Sequence, residues 1–360
     1  MVEALRSSTA RFPRRGARTD EVSRVCGVSV ATPARALGQG EMLELLGLAG
    51  DEFAEGIFAR CGVRRRHLEI SPEVLASTLQ ERTAATEDQH LRLAVEAIDG
   101  LELDPGEVGV VLTASYYALG GPTLAHRLID RYDLDPDVDK YHLAGVGCAS
   151  AVPLLRLAGQ ALRDRPGQKA LVVAAESITG FLTAVAPGDG KAKVVGSALF
   201  GDGCGAALLA GGHDERGPAV LATAVHQVPD TLDHVRFAVS GADSYMEISR
   251  ELPAVAETDV RPLVDEFLRG QGLDRGAIDH WLVHPGGRGI VEGLQRGLGL
   301  SDEQVEPSVH VLSEYGNVGT PSAFFLLLAT TERRRPATGD HGLMVTIGPG
   351  VTVGLMLLAW

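Results

Sequence analysis

One structural plan runs twice along this chain, and the repeat limits the folds open to it more than any other feature. In the first half an apolar run ending at Thr113-Ala114 is followed by a helical pattern and then by Gly147-Cys148, which opens a second helix. In the second half a run ending at His284 is followed by a helical pattern and then by Asn317, again where a helix opens. The steps from Thr113 to Cys148 and from His284 to Asn317 span 35 and 33 residues. Each half closes with a glycine-rich turn into an apolar strand: Phe200-Gly201-Asp202-Gly203 before 205–210, and Gly348-Pro349-Gly350 before 352–358. Two α/β units related by pseudo-symmetry are expected, and that symmetry would bring Cys148, His284 and Asn317 to one central cleft.

The hydrophobic pattern predicts strands over 108–114, 170–175, 205–210, 281–283, 343–347 and 352–358. Their apolar composition suits strands buried on both faces. Helices are predicted over 91–98, 152–162, 260–268, 290–298 and 321–333, with Pro153 tolerated in a first turn. The expected division is an N-terminal half over 21–215 carrying the cysteine and a C-terminal half over 216–360 carrying the histidine and asparagine. Residues 1–20, with Arg6, Arg11, Arg14, Arg15 and Arg18, read as a disordered leader: the composition suits a transit peptide, but the amphipathic period is missing.

A length of 360 residues allows one large or two fused domains. The formal charge of −14 argues against general nucleic-acid binding. No apolar run reaches spanning length, so a soluble, cytoplasmic protein without membrane contact is expected. Cys26, Cys61, Cys148 and Cys204 lack paired spacing, which fits reduced thiols and neither a disulfide framework nor a zinc site.

Asn317 is the single asparagine of the chain, and arginine outnumbers lysine about seven to one. An asparagine present against such a bias points to a use for its amide. Two N–H donors that never titrate suit it to stabilise an enolate formed as a carboxylate leaves as carbon dioxide. A helix N-cap is the competing role. Cys148 follows Gly145-Val146-Gly147 and precedes an apolar helix, where the macrodipole and free N–H groups favour a thiolate. A buried structural cysteine is the alternative, and it is the reading given to Cys26, Cys61 and Cys204. His284 ends Trp281-Leu282-Val283 and runs into Pro285-Gly286-Gly287, a strand end of the kind that exposes reactive groups. That setting separates it from the ten other histidines. An imidazolium beside Cys148 would hold it as thiolate and would later donate to a carbonyl oxygen. Cys, His and Asn are together the parts of a thiol acyl-transfer site.

Five segments stand in one register from about residue 25 to the C-terminus. They are Gly147-Cys148, Leu199-Phe200-Gly201-Asp202-Gly203, His284-Pro285-Gly286-Gly287, Leu312-Ser313-Glu314-Tyr315-Gly316-Asn317 and Gly348-Pro349-Gly350. In that order and spacing they resemble the type III polyketide synthases of the chalcone synthase superfamily. His280-Trp281-Leu282-Val283 and the terminal Trp360 are similar to the bacterial dihydroxyphenylacetyl-CoA synthase branch. The resemblance implies a thiolase-like αβαβα fold, a homodimer, and iterative decarboxylative condensation of malonyl-CoA onto an acyl starter carried by Cys148. It implies that His284 and Asn317 bind the thioester carbonyl and promote decarboxylation, with Gly286 and Gly287 shaping the substrate-binding turn. Phe200 matches the gatekeeper aromatic between CoA tunnel and cavity; ordinary core packing is its competing role. No metal or redox cofactor is implied, because coenzyme A enters attached to malonyl-CoA and to the acyl-CoA starter. Arg60 matches a CoA-contacting lysine, and Arg64, Arg65 and Arg66 make with it the densest basic cluster outside the leader. In an acidic protein that cluster reads as a CoA phosphate site, against a solvated charge run.

Three departures from the plant chalcone synthases argue for a product other than a flavonoid. Met246 stands at a second gatekeeper phenylalanine, Gly319 replaces a cavity serine, and the loop from Ser115 to Pro122 is about two residues longer and carries two tyrosines. The product expected is a small aromatic or pyrone polyketide. A ketoacyl synthase III-like enzyme, condensing once with a carrier-bound partner, shares the Cys, His and Asn. A catalytically silent homologue acting as a dimeric binding partner is the reading from outside enzymology. His-Pro-Gly-Gly and Gly-Pro-Gly favour the polyketide synthase over the first, and the intact triad disfavours the second.

Overall fold

Residues 22–116, 120–182, 185, 191–212, 216–240 and 243–360 are described by the structure, a computed structural model. The leader expected over 1–20 lies outside them. Nine of the strands among these residues form the main sheet. In chain order they are β1 (Ser23–Ala31), β2 (Val108–Ser115), β3 (Asp139–Ala144), β4 (Lys169–Glu176), β5 (Gly203–Gly211), β6 (Ala219–Gln227), β7 (His280–Val283), β8 (His341–Gly348) and β9 (Thr352–Ala359). Their spatial order is β7-β8-β9-β6-β1-β5-β4-β2-β3.

The repeat is visible in that order. The strands β1 and β6 pair only at Ser23 with Val220 and Arg24 with Ala219, so two leaves meet at a corner. One leaf runs β1-β5-β4-β2 and the other β6-β9-β8-β7, with matching directions: β2 and β7 lie parallel to β4 and β8, and the remaining pairs are antiparallel. All six predicted strands are present and run one to three residues longer. The sequence reading missed β1, β3 and β6. The last two are partly exposed along their length, so neither shows a continuous apolar run.

The helices that matter for the site are α1 (Glu52–Arg60), α2 (Leu79–Asp99), α3 (Leu124–Arg131), α4 (Ala151–Ala161), α5 (Val260–Gly270), α6 (Arg288–Leu298), α7 (Asp302–Tyr315) and α8 (Ser322–Arg334). Helix α4 touches β2, β4 and β5 of one leaf and β6 and β9 of the other, while α8 touches β1, β5 and β7. Both are therefore sandwiched between the leaves. The sequence of α8 is apolar nearly all round until its last turn, as a central helix must be. Period-two alternation sorts each strand between two cores. Leu282, Met344, Met356 and Leu358 face α4 and α8, whereas Trp281, Val283, Leu343 and Leu357 face α5 and α6. On the other leaf Val111, Leu171, Val173 and Leu208 pack beneath α2 and α3. Helix, sheet, helix, sheet, helix is the αβαβα layering expected. Among the described residues no helix is long and apolar enough to cross a membrane.

Candidate active site

Cys148 sits in the tight turn Gly147–Ser150 that leads straight into α4. Gly147 has φ +63°, and a Cβ there would lie 2.8 Å from Pro349 Cδ. A Cβ on Gly348 would stand 2.6 Å from the Ala149 nitrogen. The Gly-Pro-Gly segment of the C-terminal half thus packs directly on the cysteine turn, and glycine is what permits the approach.

His284 follows the last residue of β7, its N–H donating to the Val345 carbonyl at 2.9 Å. A Cβ on Gly286 would lie 2.9 Å from His284 Cδ2, so that glycine lets the turn fold over the imidazole. Gly287, with φ +144°, precedes α6 and abuts Leu199. It shapes the turn and does not line the cavity.

Asn317 lies between α7 and α8 and pairs with Phe200 in an isolated parallel bridge. Its N–H donates to the Leu199 carbonyl at 2.9 Å, and its carbonyl accepts from the Gly201 N–H at 3.1 Å. The side-chain Oδ1 accepts from the Gly319 N–H at 2.9 Å and from the Cys148 thiol in a long contact of 3.8 Å. The N-cap role and the position at a helix opening both require correction. Helix α8 begins at Ser322 behind Pro321, because a separate turn through Gly319, φ +68°, intervenes. With Oδ1 held by a backbone N–H, the two Nδ2 donors remain for a ligand oxygen.

Cys148, His284 and Asn317 line one cavity, as the repeat predicted, together with Phe200, Met246, Gly286 and Gly319. Phe200 and Met246 are buried at its wall. The sequence reading missed Glu176, which lines the same cavity. Its carboxylate accepts from the Tyr116 N–H at 2.9 Å, and Thr320 Oγ1 lies 3.2 Å from it and 2.9 Å from the Gly147 carbonyl. A signal existed: Glu176 is a charged residue directly after the apolar run 170–175, as His284 is after 281–283. A Cβ on Gly319, whose φ is +68°, would fall 2.8 Å from Glu176 Cγ, so glycine is what lets the turn approach the carboxylate. Tyr116 also lines the cavity; residues 117–119 of the lengthened loop lie outside the described residues.

The electrostatics temper the thiolate expectation. Cys148 keeps part of its surface open to the cavity, yet desolvation pushes its thiol up to about 12, the Glu176 charge adds to this, and the Asn317 contact opposes it. Burial alone draws His284 down to about 4. Each group by itself is therefore driven towards its neutral form.

The basic cluster is not one surface. Arg66 is wholly buried, donating to the Phe200 carbonyl at 3.0 Å and to Gln39 Oε1 at 3.1 Å. Arg64 and Arg65 both reach Glu314, the latter at 2.8 Å. The phosphate reading loses Arg66 because its charge points into the protein. Arg60, exposed at the C-terminal end of α1, lies outside the cavity and forms no ion pair among the described residues.

Comparison with known proteins agrees with this geometry. The family profile for FAE1/Type III polyketide synthase-like protein matches residues 40–236, and that for the C-terminal domain of chalcone and stilbene synthases matches 220–359. The 3,5-dihydroxyphenylacetyl-CoA synthase of Amycolatopsis balhimycina is 28% identical over 352 residues, covering 94% of each chain. The alpha-pyrone synthesis polyketide synthase-like Pks18 of Mycobacterium tuberculosis is 29% identical, covering 92% of this chain and 89% of its own. The crystal structure of PKS-I from the brown alga Ectocarpus siliculosus superposes with a TM-score of 0.86 at 25% identity, covering 94% of this chain and 98% of that one. With matched profiles across both halves and the cysteine, histidine and asparagine in one cavity, the chain belongs to the type III polyketide synthase family of acyltransferases.

Proposed function

We propose that this protein loads an acyl group from a CoA thioester onto Cys148 and extends it with malonyl-CoA. The observation that carries the reading is the meeting of Cys148 from one half with His284 and Asn317 from the other in one cavity. In the loading step His284 takes the Cys148 proton as sulfur attacks the starter thioester, and the proton leaves with coenzyme A. In the extension step malonyl-CoA loses carbon dioxide, and the electron pair of the broken C–C bond becomes an enolate. The enolate oxygen is held by Asn317 Nδ2 and His284. The enolate carbon attacks the Cys148 thioester and frees the cysteine sulfur. The lengthened chain, still on CoA, returns to Cys148 for the next round and finally cyclises.

The names of the relatives support an aromatic or pyrone product. Malonyl-CoA serving as both starter and extender accords with the first of them. No metal or redox cofactor enters this chemistry; coenzyme A arrives with its substrates. Arg60 would meet the CoA phosphates at the mouth, and Phe200 and Met246 would bound the path between mouth and cavity. The outer edge of β3, the last strand of the sheet and one with Tyr141 exposed, suits pairing with the same strand of a second copy to form a homodimer. Four free cysteines accord with a reducing, cytoplasmic setting.

Mass spectrometry of products from purified protein with malonyl-CoA, alone and with a panel of acyl-CoA starters, tests the reading. Multi-ketide products from malonyl-CoA alone are expected. Products seen only with an added starter would move the priming step to that acyl class. A single condensation that needs a carrier-bound partner, or no release of carbon dioxide under any condition, would overturn the proposal.

A further inference from the structure

The buried Arg66 belongs neither to the core in the ordinary sense nor to a phosphate site, and its contacts lead to the catalytic asparagine. We infer that Arg66 and Gln39, which line no part of the cavity, are positioning residues that set Asn317 from the opposite half of the protein; this rests on the decarboxylating role proposed for Asn317.

Both backbone hydrogen bonds of Asn317 go to the segment 199–201 of the N-terminal half, from its N–H to Leu199 and from Gly201 to its carbonyl. A shift of that segment therefore shifts the amide. Two carbonyls of the segment and its approach are held from behind. Arg66 donates to Phe200 at 3.0 Å, and Gln39 Nε2 donates to Ala198 at 3.1 Å. Gln39 Oε1 accepts the second Arg66 donor at 3.1 Å, which joins the two side chains into one bracket. The stem of Arg66 also packs on the bridge: its Cβ lies 3.3 Å from where a Cβ of Gly201 would stand and 3.6 Å from that of Gly316. Its guanidinium lies 5.6 Å from the Phe58 ring centroid and stays charged at neutral pH, burial having drawn it down to about 10. An apolar side chain of that size would fill the space at less desolvation cost. What the guanidinium adds is a rigid plane of donors, which fixes direction as well as distance.

The test separates decarboxylation of malonyl-CoA, read as carbon dioxide release, from acyl loading of Cys148, read by intact-protein mass. Arg66→Met is expected to lower kcat for decarboxylation by about 10- to 100-fold, the scale that ångström misplacement produces. KM for malonyl-CoA should stay within about threefold, and loading should fall by much less than decarboxylation. Arg66→Lys should recover part of the loss, since an ammonium reaches one of the two acceptors. In an Asn317→Ala background, Arg66→Met should cost nothing further, because the group it positions is gone. Equal losses in both backgrounds, or loading lost in proportion to decarboxylation, would overturn the inference. Gln39→Leu keeps the question open to test if Arg66→Met does not fold: the same split at smaller size is expected, and an unchanged decarboxylation rate would sink the bracket. Normal decarboxylation by Asn317→Ala alone would remove the role of Asn317 itself, an outcome distinct from any result at Arg66.

Discussion

The cysteine turn and the asparagine turn occupy the same step of the repeat, yet the protein braces them differently. Cys148 and Asn317 each follow a glycine of positive φ, Gly147 at +63° and Gly316 at +72°. Behind Gly147 stands the ring of Pro349, its Cδ 2.8 Å from a would-be Cβ; behind Gly316 stands the Leu199 carbonyl oxygen, closer still at 2.6 Å and part of the bridge that holds Asn317. Cys148 then runs directly into α4 and faces the positive end of that helix. Asn317 reaches no helix for several residues and hangs on a backbone bridge to the other half. One turn is set by its own helix and braced by a loop of its partner half; the other is set by its partner half outright. A site divided in this way exists only when the two leaves are docked.

Removing the side chains breaks the comparison hardest. Cys148→Ala is expected to abolish polyketide formation while malonyl-CoA decarboxylation persists, since His284 and Asn317 remain. Asn317→Ala should do the reverse, loading acyl groups normally but losing about 10²- to 10³-fold in decarboxylation, the usual worth of one oxyanion donor. Assays of carbon dioxide release and acyl-enzyme mass resolve both; a Cys148→Ala protein that still made polyketides would show that the chain loads elsewhere.

The bracing difference has a stability signature. Gly316→Ala carries the left-handed penalty plus a collision with backbone, about 3 kcal/mol in all. Gly147→Ala meets a ring carbon at a slightly longer distance and disturbs no hydrogen-bonded carbonyl, so it should lose less, about 2 kcal/mol. Denaturant unfolding of the two variants gives the order; an equal or larger loss for Gly147→Ala would mean that the cysteine turn is as rigidly backed as the other.

The titration of Cys148 sharpens the contrast further. Burial and the Glu176 charge hold the proton on sulfur, and His284 is the group available to accept it. His284→Ala should therefore raise the pH midpoint for iodoacetamide alkylation of Cys148, because the acceptor is lost while the penalties stay. Glu176→Gln should lower the midpoint, because a negative charge that disfavours the thiolate is removed. Midpoints that move in the opposite directions would contradict this electrostatic account. The smallest effect is expected at the cavity wall. Met246→Ala enlarges the space without touching the triad, so product profiles by mass spectrometry should shift towards longer chains while decarboxylation stays within about twofold.

Much of this was legible before any coordinates. Apolar runs such as 108–114 and 343–347 announced the inner strands because both their faces are covered. Segments β3 and β6, equally regular in the fold, were not legible because partial exposure leaves them a mixed composition. Cys148 and His284 were found through their glycine neighbours, whose local demands are visible in sequence, and Asn317 as the single asparagine of the chain. Glu176 carried one mark, a charge directly after the apolar run 170–175, but no glycine turn follows it, and Thr320 carried no mark at all.

What the sequence determined by itself is therefore local and periodic: the doubled plan, most of the strands and helices that carry it, the glycine turns, and the candidate reactive groups. Which half braces which, whether Arg66 meets solvent or the back of the Phe200 bridge, and how far burial holds the proton on Cys148 were decided only by the tertiary structure. The physical reason is that periodicity and glycine geometry act between neighbours in the chain. The fate of a charge or an amide depends on what stands across space from it, and for Arg66 and Asn317 those partners lie more than a hundred residues away.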